Sequence, residues 1–125
     1  MRKIIETAEA PKPIGPYSQG ICANGFIFVS GQIPLDPKTA QIVDGGLEAQ
    51  THQAIGNISA ILAAAGSNLD RVVKTTVFLA NLEDFPVFNR IYEEYFGGIK
   101  PARATVQVAR LPKDALLEIE VVALA

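Results

Sequence analysis

The sequence is poor in the residues that cross-link a chain or bind metals. It contains one cysteine, Cys22, and one histidine, His52, among 125 residues. A single cysteine excludes an internal disulfide and favours a reducing compartment. No run of about 18 apolar residues occurs, so no membrane-spanning helix is predicted, and no apolar run of the kind found in a signal peptide follows Arg2 and Lys3. These absences predict a cytoplasmic protein.

Charge is also scarce. Charged residues make up 19% of the sequence, and the net charge is −2. With a pI near 5.3, the chain lacks the basic footprint of a nucleic-acid-binding protein. Hydrophobic residues make up 49%, which is enough for a sizeable core. A chain of this length is therefore expected to form one domain spanning residues 1–125.

Several common catalytic motifs are missing. The sequence has no phosphate-binding loop, dinucleotide fingerprint, HExxH pair or CxxC pair. His52 is predicted to lie on a helix surface and Cys22 on an early strand, so neither a Ser-His-Asp nor a Cys-His set is expected. One histidine without cysteine neighbours does not form a zinc site of the usual kind. No metal site is predicted.

Hydrophobic periodicity predicts six strands and two helices in the order β-β-β-α-β-α-β-β. The clearest helix spans residues 47–65 and ends before Gly66, which suits the C′ position. A second helix carries an aromatic stripe and ends at Gly97. The dipeptide Asn24-Gly25 predicts a tight hairpin, because a type I′ turn requires positive φ at both positions.

Residues 101–121 carry the most informative pattern. They read as two β runs, 101–109 and 116–121, and are expected to form a hairpin. This hairpin would hold Arg103 and Glu118 on rigid strands. Arginine can bind a carboxylate through two parallel hydrogen bonds, and a glutamate can move a proton or orient a water. The residues alone thus predict a small-carboxylate binder, with a solvated sheet face carrying ordinary charges as the alternative.

Some strands are apolar on both faces. Phe26 and Phe28 alternate with Ile27 and Val29, whereas a sheet with one wet face should alternate with polar residues. A second apolar face of this size is typical of an interface. We therefore expect the second face of the sheet to pack against other copies of the chain, which would place side chains from two subunits around a shared site.

Several long motifs, in register along the whole chain, resemble the RidA/YjgF family of imine deaminases. They are IGPYSQG at 14–20, SGQIPLDPKT at 30–39, VVKTTVFLANLEDF at 72–85, YEEYF at 92–96 and PARATVQVARLPKDALLEIE at 101–120. The resemblance implies a chorismate-mutase-like α+β fold, in which a mostly antiparallel sheet of about six strands carries two helices on one face. It also implies a homotrimer that assembles through the other face, with clefts between subunits.

The implied activity is hydrolysis of reactive 2-enamine and 2-imine acids to 2-oxo acids and ammonia. The substrates would be 2-aminoacrylate, its tautomer 2-iminopropanoate, and 2-iminobutanoate, which pyridoxal-phosphate enzymes release. The resemblance implies that the protein itself uses neither a metal nor an organic cofactor. Two other functions occur among relatives. One is a non-catalytic 2-oxo-acid-binding regulator of purine or branched-chain amino-acid metabolism, and the other is an endoribonuclease or translation inhibitor, which the acidic pI and lone histidine disfavour.

The resemblance also implies roles for particular residues. Arg103 would bind the substrate carboxylate, and Glu118 would activate or orient a water. The other residues implied to bind substrate are Tyr17, Ser30, Gly31, Asn89 and Thr105. Many family members carry a cysteine at the position of Thr105, so a thiol role is excluded here, while a hydroxyl can still form a hydrogen bond.

Overall fold

The computed structural model describes residues 2–125, which form one six-stranded sheet and two α-helices. The predicted order of strands and helices is confirmed. The elements are β1 (Arg2–Ile5), β2 (Gly20–Ala23), β3 (Phe26–Gln32), α1 (Gly46–Ala64), β4 (Val72–Leu79), α2 (Phe85–Phe96), β5 (Ala102–Gln107) and β6 (Leu117–Leu124).

The strand order in the sheet is β1-β2-β3-β6-β4-β5. Every neighbouring pair is antiparallel except β4 and β5, which run parallel. Parallel neighbours need a crossover connection, and α2 supplies it. The sheet is therefore mostly antiparallel, and the fold is α+β as expected.

The predicted hairpin at Asn24-Gly25 is confirmed. β2 and β3 pair antiparallel on either side of this dipeptide. Asn24 has φ 51° and Gly25 has φ 80°, so both turn residues occupy the left-handed region that a type I′ turn requires.

The first helix buries one face against the sheet, as its periodicity predicts. Its fully buried apolar side chains include Ile55, Ile58 and Ile61. The helix ends through a Schellman motif, in which the Gly66 and Ser67 N–H groups donate to the carbonyls of residues 63 and 62. Gly66 has φ 80°, a conformation that favours glycine at this C′ position.

The predicted hairpin over residues 101–121 is wrong. β5 and β6 do not pair with each other, because β4 lies between them and pairs with both. The register aligns Arg103 with Thr75 on β4, and Thr75 is fully buried on the helix side of the sheet. Arg103 therefore points to the helix face. Glu118 alternates with the buried Leu117 and Ile119 of β6, so it points to the opposite face.

Both helices cover the same face of the sheet, and we call the other one the open face. The open face is apolar where β3 and β6 pair. Phe26, Phe28 and Leu124 are 40%, 47% and 38% exposed there, and Val122 lies opposite Phe28. Among residues 2–125, no helix is long and apolar enough to cross a membrane.

Candidate active site

One group of predicted site residues lines a cleft that we call the glutamate cleft. Tyr17, Gly31 and Glu118 contribute to its wall, together with the proline-rich segment near Pro11 and the turn at Lys113. The Tyr17 side chain is 54% exposed, and its hydroxyl accepts a hydrogen bond from the Ile14 N–H at 3.3 Å. Lys12 also lines the cleft, so its wall contains one carboxyl group, one phenol and two lysines.

The Glu118 carboxyl is half-buried at the base of this cleft. Burial raises its pKa above the ordinary value, and the nearby charge of Glu120 raises it further. A carboxylate with a raised pKa is a stronger base than an exposed one, which suits it to accept a proton from water.

A bulge in β3 brings the backbone of Gly31 against this carboxyl. The register with β6 shifts between Val29 and Gln32, and bulges of this kind re-aim a strand locally. A Cβ on Gly31 would lie 2.9 Å from Cδ of Glu118 and would collide with its carboxyl oxygen. Glycine is thus required at this position by close approach rather than by an unusual φ.

Ser30 lies in the same bulge, but its hydroxyl is already engaged. It donates to the carbonyl of Ser18 at 2.5 Å, while its N–H donates to the carbonyl of Gln19 at 2.9 Å. Ser30 therefore ties β3 to the loop that carries Tyr17.

Gln19 holds the proline-rich wall of the cleft, and we did not predict this from the sequence. Its amide oxygen accepts from the Thr7 N–H at 2.7 Å. Its amide nitrogen donates to the carbonyls of Thr7, Ala10 and Pro11 at 3.0, 3.2 and 2.9 Å. Gln19 is 3% exposed, so these bonds satisfy a buried amide. Its place in the YSQG motif was the only signal in the sequence.

A second group of predicted residues lines a separate cleft, which we call the arginine cleft. Arg103 and Asn89 lie there with Tyr92 and Lys100. The Arg103 Nη1 donates to Asn89 Oδ1 at 2.7 Å. The guanidinium carbon lies 4.7 Å from the ring centroid of Tyr92 and 5.4 Å from that of Phe85, so two aromatic rings and an amide hold this cation.

The phenol beneath Arg103 stays neutral. Burial raises the pKa of Tyr92, although its hydrogen bond with Thr75 and the charge of Arg103 both oppose the rise. The two hydroxyls lie 2.8 Å apart. The ring therefore attracts the guanidinium through its π face and does not neutralise it as a phenolate would.

Thr105 follows Arg103 on the same side of β5. It borders an apolar groove lined by Leu82, Phe85 and Pro86. Among residues 2–125, its hydroxyl oxygen is the one buried side-chain polar atom without a hydrogen-bond partner. A buried hydroxyl left unpaired is costly, and this one has no compensating partner within the chain.

The structure thus divides the predicted residues into two sets. Tyr17, Gly31 and Glu118 share the glutamate cleft with Ser30 behind it, whereas Arg103 and Asn89 share the arginine cleft. The remaining predicted residue, Thr105, borders the groove beside Arg103. One chain does not bring the arginine and the glutamate together.

Replacing Gly31 with alanine tests the close approach to Glu118. We expect activity to fall about tenfold, because the added methyl group displaces the carboxyl from its position. Folding stability should change by less than about 1 kcal/mol, since the displaced atoms end a flexible side chain and alanine restricts the unfolded chain.

A matched control for this variant is Gly56→Ala on α1, where a Cβ would meet no atom within 4 Å. It should keep full activity and add about 0.5–1 kcal/mol of stability. Enzyme assays and urea unfolding curves measure both effects. Full activity in Gly31→Ala would contradict the role given to this contact.

The α+β sheet carries a small cleft with Arg103 and Lys100 in its wall on the helix side. A family model described as Endoribonuclease L-PSP matches residues 7–125. The chain therefore belongs to this family, which is the RidA/YjgF family named above. Its fold is the chorismate-mutase-like α+β fold of the solved relatives.

Similar proteins cover nearly the whole chain. A RutC family protein from Pyrococcus horikoshii is 56% identical over 123 residues, which is 98% of each sequence. The 2-iminobutanoate/2-iminopropanoate deaminase of Homo sapiens is 49% identical over 124 residues, covering 99% of this chain and 90% of the human protein. The crystal structure of E. coli TdcF with bound serine superposes with a TM-score of 0.92 at 44% identity and covers 98% of both chains.

Proposed function

We propose that this protein hydrolyses 2-imino acids, and their 2-enamine tautomers, to 2-oxo acids and ammonia. The human relative that carries a deaminase name supports this activity. The observation that carries the proposal is the state of Arg103. Its guanidinium is held by a neutral amide and two rings, and no carboxylate among residues 2–125 forms an ion pair with it.

Such a guanidinium can bind the carboxylate of a small 2-imino acid. Arginine presents donors in a planar fork, and only one nitrogen of Arg103 is engaged by Asn89. The remaining donors match the two oxygens of a carboxylate. Binding of the carboxylate there would hold the adjacent C2 carbon of the substrate close to the Arg103 guanidinium.

The Glu118 carboxylate would assist the attack of water on C2. It accepts a proton from the water as the C–O bond forms and the C=N bond electrons move to nitrogen, and it then passes that proton to the nitrogen to give the carbinolamine. The carbinolamine hydroxyl next transfers its proton to the amine nitrogen, the C=O bond forms, and the C–N bond breaks to release ammonia. The imine carbon is already electrophilic, so positioning and a base are enough to accelerate the reaction.

Arg103 and Glu118 lie on opposite faces of the sheet in one chain, so we propose that two copies complete each site. The apolar open face supports this arrangement, because Phe26 and Phe28 are large exposed side chains next to Leu124. A head-to-tail interface repeated in a closed ring gives one composite site per seam. A homotrimer with three such sites is the assembly we propose.

Subunit mixing tests the shared site. Arg103→Ala and Glu118→Gln chains, whose activities alone are expected to be at most about one tenth of the wild type, are expressed together in equal amounts. If each site takes its arginine from one copy and its glutamate from the next, random assembly leaves about one quarter of the seams intact. We expect about that share of wild-type activity. Activity no higher than that of either variant alone would contradict the shared site.

The activity itself is tested by trapping. A pyridoxal-phosphate-dependent dehydratase releases 2-iminobutanoate from threonine in the presence of semicarbazide, which forms a semicarbazone with the free imine. We expect this protein to lower the semicarbazone yield and speed the appearance of 2-oxobutanoate and ammonia. A protein that binds 2-oxobutanoate but leaves the yield unchanged would be a non-catalytic binder, the regulatory alternative.

Ribonuclease activity, which the family description names, finds less support in this chain. The net charge is −2, whereas RNA binding relies on basic surfaces. His52, the only histidine, lines neither of the two clefts, and its Nδ1 lies 2.6 Å from the hydroxyl of Tyr95 on the helix surface. We therefore do not assign RNA as the substrate.

A further inference from the structure

The second helix holds an amide against Arg103 where a carboxylate would fit equally well. Asn89 Oδ1 accepts from Arg103 Nη1 at 2.7 Å. Elsewhere in the chain, Arg90 pairs with Glu48 at 3.0 Å and Arg110 pairs with Asp114 at 2.7 Å. Both of those pairs are exposed on the surface. Arg103 differs because its partner accepts a hydrogen bond without carrying charge.

We propose that Asn89 is a positioning residue that orients Arg103 while leaving its positive charge for the substrate. This inference rests on the function proposed above, in which Arg103 binds the substrate carboxylate. Asn89 was expected from family resemblance to bind substrate. The contact seen here assigns it to the arginine instead, one step away from the ligand.

The support around the guanidinium fits this role. The Tyr92 and Phe85 rings attract a cation without neutralising it, and the amide of Asn89 fixes the rotation of the planar group. A carboxylate is present in the same cleft on Glu93, one helical turn beyond Asn89, yet it forms no ion pair with Arg103. The groups that hydrogen-bond to Arg103 or stack on its guanidinium are therefore neutral.

Replacing Asn89 with aspartate keeps the shape and the accepting oxygen but adds a negative charge. The new carboxylate would form a charge-assisted pair with Arg103 and would also repel the carboxylate of the ligand. Replacing Asn89 with alanine removes the hydrogen bond but leaves the charge of Arg103 exposed to the ligand. The proposal therefore ranks aspartate as the more harmful change for binding, although it is the more conservative one in shape.

The experiment measures the Kd of 2-oxobutanoate by titration calorimetry for the wild type, Asn89→Asp and Asn89→Ala. We expect Kd to rise about 10- to 100-fold in Asn89→Asp and about 3- to 10-fold in Asn89→Ala, within the range that charged hydrogen bonds support. Thermal unfolding should show Asn89→Asp at least as stable as the wild type, because it gains an ion pair.

A matched control separates local charge from net charge. Asn68 is exposed and accepts a hydrogen bond from the Asp70 N–H at a short helical turn, a position that tolerates aspartate. Asn68→Asp adds the same charge away from both clefts and should leave Kd unchanged.

Three results would overturn the inference. The first is a Kd in Asn89→Asp equal to that of the wild type, and the second is a larger loss of affinity in Asn89→Ala than in Asn89→Asp. The third is a wild type that does not bind 2-oxobutanoate at millimolar concentration. Turnover is measured separately by the trapping assay. A wild type that binds 2-oxobutanoate but does not hydrolyse imines would overturn the deaminase proposal. The inference about Asn89 would still be tested by whether Kd rises more in Asn89→Asp than in Asn89→Ala.

Discussion

Replacing Arg103 with alanine is expected to lower kcat/KM for imine hydrolysis about 100-fold or more. The change removes the group that binds the substrate carboxylate, and a lost pair of charge-assisted hydrogen bonds is worth that much. Arg103→Lys should retain part of the activity, since an ammonium keeps the charge but lacks the planar fork. The trapping assay at several substrate concentrations measures both effects.

The matched control for Arg103 is Arg90→Ala. Arg90 lies on α2 and forms an exposed ion pair with Glu48, and exposed pairs of this kind contribute little to stability. This variant should keep nearly full activity. Full activity in Arg103→Ala would remove the central residue from the proposed mechanism.

Replacing Glu118 with glutamine should change activity and stability in opposite directions. Activity is expected to fall about 10- to 100-fold, at the low end for loss of a general base, because the imine carbon is already electrophilic. Stability at neutral pH is expected to rise. Burial and Glu120 raise the pKa of Glu118 in the folded protein, so the ionised carboxylate opposes folding, and glutamine removes that charge.

The raised pKa of Glu118 also predicts how stability and activity depend on pH. The folded state binds this proton more tightly than the unfolded state, so the contribution of Glu118 to stability is lost as pH rises from the ordinary value of 4.5 through the raised pKa. The stability gain in Glu118→Gln should therefore shrink as pH falls through that window and be absent below it. Wild-type activity should decline as pH falls through the raised pKa, since the base is then protonated.

Urea unfolding curves and activity profiles between about pH 4 and pH 8 test these expectations, because that range spans the ordinary pKa of a glutamate and values raised above it. Glu9→Gln, at an exposed loop position, is the control and should change neither quantity. A Glu118→Gln variant that is less stable than the wild type at pH 7 would show that the carboxylate stabilises the fold, contrary to this account.

The local structure could be predicted from the sequence because its signals lie within a few residues of each other. The Asn24-Gly25 turn and the end of α1 before Gly66 both follow from short-range patterns. The pairing of β5 with β4 could not be predicted in this way. Alternation identifies a strand but does not specify its neighbour, and two strands close in sequence do not pair if a third lies between them.

The two sides of β5 are also reversed from what its sequence suggests. Its polar residues Arg103 and Thr105 face the helices, while Val106 is 44% exposed on the open face. In an ordinary edge strand the apolar residues would face the core. Here the polar side of β5 faces the helices because it lines the arginine cleft. The alternation in the sequence was therefore recognised correctly. Which side faces the helices depends on the cleft, and the pattern of a single strand does not reveal it.

The division of the site between two clefts was also beyond the sequence. Family resemblance identified Arg103, Glu118 and Gly31 as a set, but it did not show which of them share one side of the sheet. Arg103 is aligned with the buried Thr75 of β4 and so shares the helix side of the sheet. Glu118 alternates with buried residues of β6 and so lies on the opposite side. The supporting residues Gln19 and Tyr92 were missed because their roles depend on distant backbone and ring contacts.

The position of β6 at the centre of the sheet governs how the chain can fold during synthesis. It is the last of the six strands to leave the ribosome, yet it joins β3 to β4. A nascent chain that ends before Leu117 holds two separate strand groups, β1-β2-β3 and β4-β5, with unpaired edges facing each other. Until β6 is inserted between them, those edges are open to pairing with other chains, so aggregation competes with folding over that interval.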